Sequence, residues 1–176
     1  METQTIGFAR GVMAEELKPG QLFTFHGDDG RVRIALRVGF EKQSLALVLG
    51  EANTPPEKTP DQLPLLLAMD DVPVPLGLIE AVAVVRPPQD GEPLTSFPIP
   101  SHELYGNGVL AMDGHDGPCV TVHLGKGHGS HAFRLFSLRT GLDLPKNPDC
   151  VLYDEWELHL DWGAGVTTFV ARFPDN

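Results

Sequence analysis

The chain has 176 residues, of which 41% are apolar and 21% are charged, and its formal net charge is −11 at pH 7. An apolar fraction of this size excludes a disordered tail and is enough for the core of one ordinary domain. The negative charge argues against nucleic acid and anionic membrane as partners, because long-range electrostatics would repel both.

Glycine and proline are abundant, with 19 and 16 copies, which disfavours long helices and favours many short strands joined by turns. We therefore predict an all-β fold, an antiparallel sandwich or barrel of about ten short strands. One β domain is expected to span residues 1–176, with residues 1–12 as a loose N-terminal arm and residues 51–100 as proline-rich connections.

The first twenty residues lack the apolar core of a signal peptide, and no apolar run approaches the ~20 residues of a membrane span. The two cysteines, Cys119 and Cys150, form no CxxC motif. These features predict a cytoplasmic protein with two free thiols, although a disulfide between the two cysteines stays open.

Apolar residues alternate with polar ones over residues 21–50, which predicts a three-stranded meander. Its two turns are placed at residues 27–30 and between Phe40 and Gln43. The register that matches apolar residues gives these partners: Phe25 with Val32, Phe23 with Ile34, Val38 with Leu45, Leu36 with Leu47 and Ile34 with Leu49.

In the middle of the chain, residues 63–69 fit either a strand or one short helix, and residues 78–86 (LIEAVAVVR) predict one central strand. A C-terminal hairpin is expected from residues 151–162 and 166–173. Its expected pairs are Trp156 with Phe173, Glu157 with Arg172, Leu158 with Ala171, His159 with Val170, Leu160 with Phe169, Asp161 with Thr168 and Trp162 with Thr167.

One face of this hairpin is apolar, carrying Trp156, Leu158, Leu160 and Trp162, whereas the other carries Glu155, Glu157, His159 and Asp161. Paired carboxylates serve as acid and base in glycosidases or collect a hard cation, but a solvated strand face explains the same pattern. Arg31, Arg33 and Arg37 alternate on the second strand of the meander and are expected to pair with local carboxylates.

The region from residue 113 to 131 is rich in histidine, aspartate and glycine, and imidazole and carboxylate are natural ligands for zinc or iron. The candidate metal ligands are His115, Asp116, His123, His128 and His131. Their spacing matches no compact metal motif, and His123 should point away from the core side formed by Val120, Val122 and Leu124. We therefore expect no three of the five candidates to share a centre.

The glycine-rich run LGKGHGSH lacks both the GxxxxGK[ST] phosphate motif and the GxSxG serine frame. The sequence supplies no acid, base and nucleophile set, so it assigns no catalytic residue and no cofactor. It predicts a non-catalytic binding or assembly module for a protein partner or a second copy. The alternatives are a metal-dependent enzyme or sensor using residues 113–131, with a divalent metal as cofactor, and small-molecule binding inside the fold.

Overall fold

The computed structural model describes residues 10–52, 63–87, 107–114, 116–124, 133–144 and 150–173. Within these ranges the chain forms fourteen strands and two short 3-10 helices, and all neighbouring strands are antiparallel. The predicted all-β antiparallel fold is confirmed. There are more strands than expected because two long segments each divide into two strands and because two further strands are only two residues long.

The largest sheet has six strands in the order β1-β6-β2-β3-β4-β5. Its strands are β1 (Gly11–Val12), β2 (Leu22–His26), β3 (Val32–Phe40), β4 (Gln43–Glu51), β5 (Leu65–Ala68) and β6 (Leu76–Ile79). The 3-10 helices are Ala14–Glu16, which follows β1, and Met69–Asp71, which follows β5. Two residues of the predicted N-terminal arm thus belong to a sheet as β1, and residues 1–9 lie outside the described part.

The other two sheets have five strands in the order β11-β10-β9-β8-β12 and three in the order β14-β13-β7. The five-stranded sheet contains β8 (Leu110–Asp113), β9 (Gly117–His123), β10 (Phe133–Ser137), β11 (Asp143–Leu144) and β12 (Val151–Tyr153). The three-stranded sheet contains β7 (Val82–Arg86), β13 (Trp156–Asp161) and β14 (Thr167–Phe173).

All three sheets contribute to one buried apolar group, the central cluster. It includes Ile34 and Leu36 from the six-stranded sheet, Val120 and Phe136 from the five-stranded sheet, and Trp156 from the three-stranded sheet. The sheets pack over this cluster as a sandwich, and none closes on itself within the described residues.

The predicted meander is confirmed as β2, β3 and β4, but the register of its first hairpin was wrong by one residue. Phe23 lies opposite Ala35 and Phe25 opposite Arg33. The Gly27 N–H donates to the Arg31 carbonyl at 2.8 Å, so the loop closes one residue later than predicted, with Gly30 at φ 76°. A shift of one residue moves a side chain to the other face of a sheet.

The six-stranded sheet is consequently buried on both faces. Phe23 and Phe25 belong to a second cluster, which also contains Ala35 and Val48, rather than to the central cluster. The second hairpin keeps its predicted register from Phe40–Gln43 as far as Leu36–Leu47, and a bulge then places Ile34 opposite Gly50 instead of Leu49.

Two predicted strands each divide between sheets. Residues 78–86 are not one central strand, because β6 ends at Ile79 and β7 starts at Val82 in a different sheet. Residues 151–162 divide in the same way between β12 and β13. Residues 63–69, which fitted either a strand or a helix, contain β5 and the start of the second 3-10 helix.

Cys119 and Cys150 are reduced thiols, 1% and 3% exposed, in a third cluster beside the five-stranded sheet. The disulfide that the sequence left open is therefore not formed. Neither helix in the described residues is long and apolar enough to cross a membrane.

Candidate functional site

The predicted acidic face of the C-terminal hairpin lies on the outer face of the three-stranded sheet. Trp156, Leu158 and Leu160 of β13 are at most 1% exposed and belong to the central cluster. Since successive side chains of a strand alternate, Glu157 and His159 point the other way. The predicted assignment of faces is confirmed along β13, although Trp162, just beyond it, is only half-buried.

Directly opposite residues of neighbouring strands share a face, so the registers of β7, β13 and β14 define the outer face as three rows. The first row is Arg86, Glu157 and Arg172; the second is Val84, His159 and Phe169; the third is Val82, Asp161 and Thr167. Two rows therefore carry charge and the middle row is largely apolar.

The hairpin register is as predicted from Trp156–Phe173 to Leu158–Ala171, including the Glu157–Arg172 pair. Beyond Leu158 the register is shifted by one residue, which corrects three predicted pairs. The observed pairs are His159 with Phe169, Leu160 with Thr168 and Asp161 with Thr167.

Val170 is the extra residue of this bulge, and it is buried in the central cluster. Its side chain lies directly over Gly50 of β4, where a Cβ atom on the glycine would overlap it. The bulged residue therefore lies at a tertiary contact between two sheets, which the sequence of the hairpin alone does not show.

Glu157 is the centre of a hydrogen-bonded network on the first two rows. Its Oε1 accepts hydrogen bonds from Arg172 Nε at 3.1 Å and Nη2 at 2.5 Å, and its Oε2 lies 3.0 Å from His159 Nε2. The Arg172 hydrogen bond, followed by that of His159, lowers the pKa of Glu157 below its ordinary value. A carboxylate held ionised in this way is a poor general acid at neutral pH.

His159 is the most enclosed polar residue of the outer face, at 8% exposure. Its ring packs edge-on against Phe169 with the ring centroids 5.5 Å apart. The described residues contain no group of three His, Cys, Asp or Glu that could hold a metal ion, either here or elsewhere. The hydrogen bonds of Glu157 and the packing of His159 on Phe169 order this part of the outer face.

On the β7 side of the outer face, fewer charged groups have an ion partner among the described residues than on the β14 side. Both oxygens of Glu157 are engaged by Arg172 and His159, and Arg86 forms no ion pair with any described residue. β7 is the last strand of its sheet, and its one hydrogen-bonded neighbour among the described residues is β13. Val82, at the start of this edge, is 66% exposed.

Two of the five predicted metal ligands lie in the described part of the chain. Asp116 immediately precedes β9 and His123 ends it, which separates their backbones by roughly 23 Å at about 3.3 Å per strand residue. One metal ion therefore cannot bind both. His115, His128 and His131 lie outside the described residues, as does most of the glycine-rich run, so the expectation that no three candidates share a centre stays a prediction.

His123 points away from the central cluster, as predicted, because Val120 and Val122 face into it. Its backbone N–H donates to Asn107 Oδ1 at 3.0 Å, and its ring packs edge-on against Phe133 with the centroids 5.1 Å apart.

The arginines of β3 and its preceding turn are paired largely as predicted. Arg33 lies 2.9 Å from the buried carboxylate of Glu51 and 2.7 Å from Asp29, and Arg31 lies 3.3 Å from Glu51. Arg37 differs, because its guanidinium donates to a backbone carbonyl and a serine hydroxyl.

Sequence reasoning missed the importance of Val82 and Arg86. Residues 81–85 (AVAVV) are all apolar, so periodicity could not show which side of the strand was exposed. The signals that could have placed a strand edge here are Glu80 before this run and Pro87 after it.

No family model matches the chain, and neither a curated protein nor a solved structure matches it. The features that bear on function are therefore the outer face and the edge of β7.

Proposed function

We propose that this chain is a non-catalytic protein-binding module and that β7 is the edge at which it receives an extended segment of a protein partner. The observation that carries the proposal is the exposure of Val82, 66%, in a strand with a described neighbour on one side only. An edge strand presents backbone N–H and C=O groups that can pair with an added strand.

The side chains of the edge define the chemistry of the added segment. Val82 and Val84 point to the outer face, so they favour apolar side-chain surface directly opposite, which an aliphatic residue or the stem of an arginine supplies. Arg86, which has no ion partner among the described residues, favours an acidic residue at its end of the segment. A contact of one short strand is small, so we expect reversible binding.

The metal-dependent alternative has less support. Asp116 and His123 are at opposite ends of β9, so the five candidate ligands cannot act together. The Glu157 carboxylate, one member of the acidic face for which the sequence left acid–base chemistry or cation binding open, is hydrogen bonded by Arg172 and His159.

The proposal can be tested with a fluorescent eight-residue peptide of alternating valine and threonine with a glutamate at each end. We expect fluorescence anisotropy to show binding to the dilute chain. A matched peptide with proline at two of the valine positions should bind at least about tenfold more weakly, because proline cannot donate a ladder hydrogen bond.

Val82→Lys should weaken peptide binding by about tenfold, because it places a hydrated charge opposite an apolar residue. Val74→Lys is the control, since Val74 is 79% exposed and lies outside β7, and the charge change is the same. Equal binding of the two peptides, or equal losses in the two variants, would contradict docking at β7.

A further inference from the structure

We infer that the segment received at β7 is β7 of a second copy of this chain, in a two-fold antiparallel pair centred on Val84. The inference rests on the proposed function, since it names the partner for the same edge. Three properties of the edge support it. The two ends of β7 carry opposite charge, the three rows of the outer face have no net charge, and this register places the outer faces of the two copies on the same side.

The two ends of β7 carry opposite charge. Glu80, which is exposed, lies two residues before the strand, and Asp161 lies opposite Val82 on β13. Arg86 ends the strand and is exposed. An antiparallel pair brings Arg86 of each copy to the acidic end of the other, whereas a parallel pair would place like charges together.

The outer face is electrically balanced although the whole chain is not. Within its three rows, Arg86 and Arg172 contribute two positive charges and Glu157 and Asp161 two negative ones, so the rows sum to zero with histidine counted as neutral. Glu80 and Glu155 lie outside the rows and are not part of this sum. The formal charge of the whole chain is −11. A contact at β7 therefore places this balanced face, and not a strongly acidic surface, beside the second copy, with the remaining repulsion screened over about 8 Å at physiological salt.

The register centred on Val84 also matches the faces of the two copies. It pairs Val84 with itself, Val82 with Arg86 and Ala83 with Val85, so all five residues of β7 are used. Ala83 and Val85 are half-buried against the central cluster, so the pair is apolar on the inner side. On the outer side the Val84 pair is flanked by Val82 opposite Arg86, where the apolar stem of the arginine can cover the valine. A shift of one residue would join the outer face of one copy to the inner face of the other, and a shift of two would pair only three residues of each strand.

The test is a comparison of two single-cysteine additions under mild oxidation. Val84→Cys places two thiols directly opposite each other on the two-fold axis, so a disulfide-linked dimer should form rapidly. The native Cys119 and Cys150 are 1% and 3% exposed, so they contribute little background. Non-reducing electrophoresis gives the rate of dimer formation.

Val82→Cys is the matched control. Val82 is the more exposed residue of the two, so random collision would cross-link it faster. In the proposed pair, however, the two copies of residue 82 are separated along the strands by about 13 Å, beyond the reach of a disulfide. We expect Val84→Cys to dimerise at least about tenfold faster than Val82→Cys, because only the first pair has disulfide geometry.

Equal rates, or a faster rate for Val82→Cys, would overturn the second copy as the partner. Peptide binding without the Val84→Cys cross-link would leave the proposed function standing and overturn this inference alone. Loss of both peptide binding and the cross-link would overturn both.

Discussion

At the scale of single residues, Glu157 links stability to pH. Hydrogen bonds from Arg172 and His159 hold its pKa below the ordinary value of 4.5. As the pH falls, the unfolded chain therefore takes up a proton at this position before the folded chain does. The stabilisation is complete above the ordinary pKa and is lost as the pH falls through the folded pKa.

Glu157→Gln should lower the free energy of unfolding by about 0.5–1 kcal/mol at neutral pH, a small loss because the side chain of Arg172 is 62% exposed. The difference from the unsubstituted chain should shrink as the pH falls from about 5 to about 3. Urea unfolding across this range measures it.

Glu155→Gln is the control for Glu157→Gln, because Glu155 is exposed and forms no ion pair with a described residue. We expect it to have little effect on the free energy of unfolding at any pH. If the effect of Glu157→Gln on the free energy of unfolding did not change with pH, it would contradict the hydrogen bonding of Glu157 by Arg172 and His159.

At the scale of elements, β4 and β14 approach each other at Gly50 and Val170. A Cβ atom on Gly50 would overlap the Val170 side chain and lie 3.1 Å from the Val170 carbonyl oxygen. Gly50→Ala should therefore cost about 1–3 kcal/mol of stability through overpacking, as measured by chemical denaturation.

Gly11→Ala is the matched control, since Gly11 also lies in a strand of the six-stranded sheet and a Cβ atom there meets no atom within 4 Å. Trimming Val170 to alanine in the Gly50→Ala background should recover part of the loss, because the two sites share one space. If Gly50→Ala and Gly11→Ala lower the stability equally, the close approach of Val170 to Gly50 is not the cause of the loss.

The sequence predicted those elements whose signals are local. Alternation located β2, β3 and β4, and the turn at Glu41 and Lys42, where both residues have positive φ, set the second hairpin correctly. The first hairpin was wrong because Gly30 adds a residue to the loop, and several loop lengths suit the same glycine-rich sequence.

The remaining differences depend on contacts between distant parts of the chain. The bulged residue Val170 packs against Gly50, 120 positions earlier, and no local pattern encodes that contact. The acidic residues of the outer face could be assigned to one side of β13 from alternation. The edge at β7 could not be predicted from alternation, because whether another strand covers Val82 depends on the order of strands in the sheet.

At the scale of the whole molecule, the chain has a large net negative charge, and several of its arginines are paired with carboxylates of the chain itself. Arg31 and Arg33 are committed to Glu51 and Asp29, and Arg172 is committed to Glu157. We therefore expect no sub-micromolar binding to random-sequence duplex DNA at about 150 mM salt, because phosphate contacts need uncommitted lysines and arginines. Anisotropy of labelled DNA measures this, and tight binding with a steep salt dependence would contradict it.

The short link between β6 and β7 has a mechanical consequence. Only Glu80 and Ala81 separate the edge strand from β6, which is hydrogen bonded to β1 on one side and to β2 on the other. At about 3.5 Å per residue such a link has almost no slack. Tension on a strand bound at β7 would pass directly into the interior of the six-stranded sheet, where hydrogen bonds on both sides of β6 oppose its displacement. Two copies joined at this edge would therefore move apart little before their sheets began to shear.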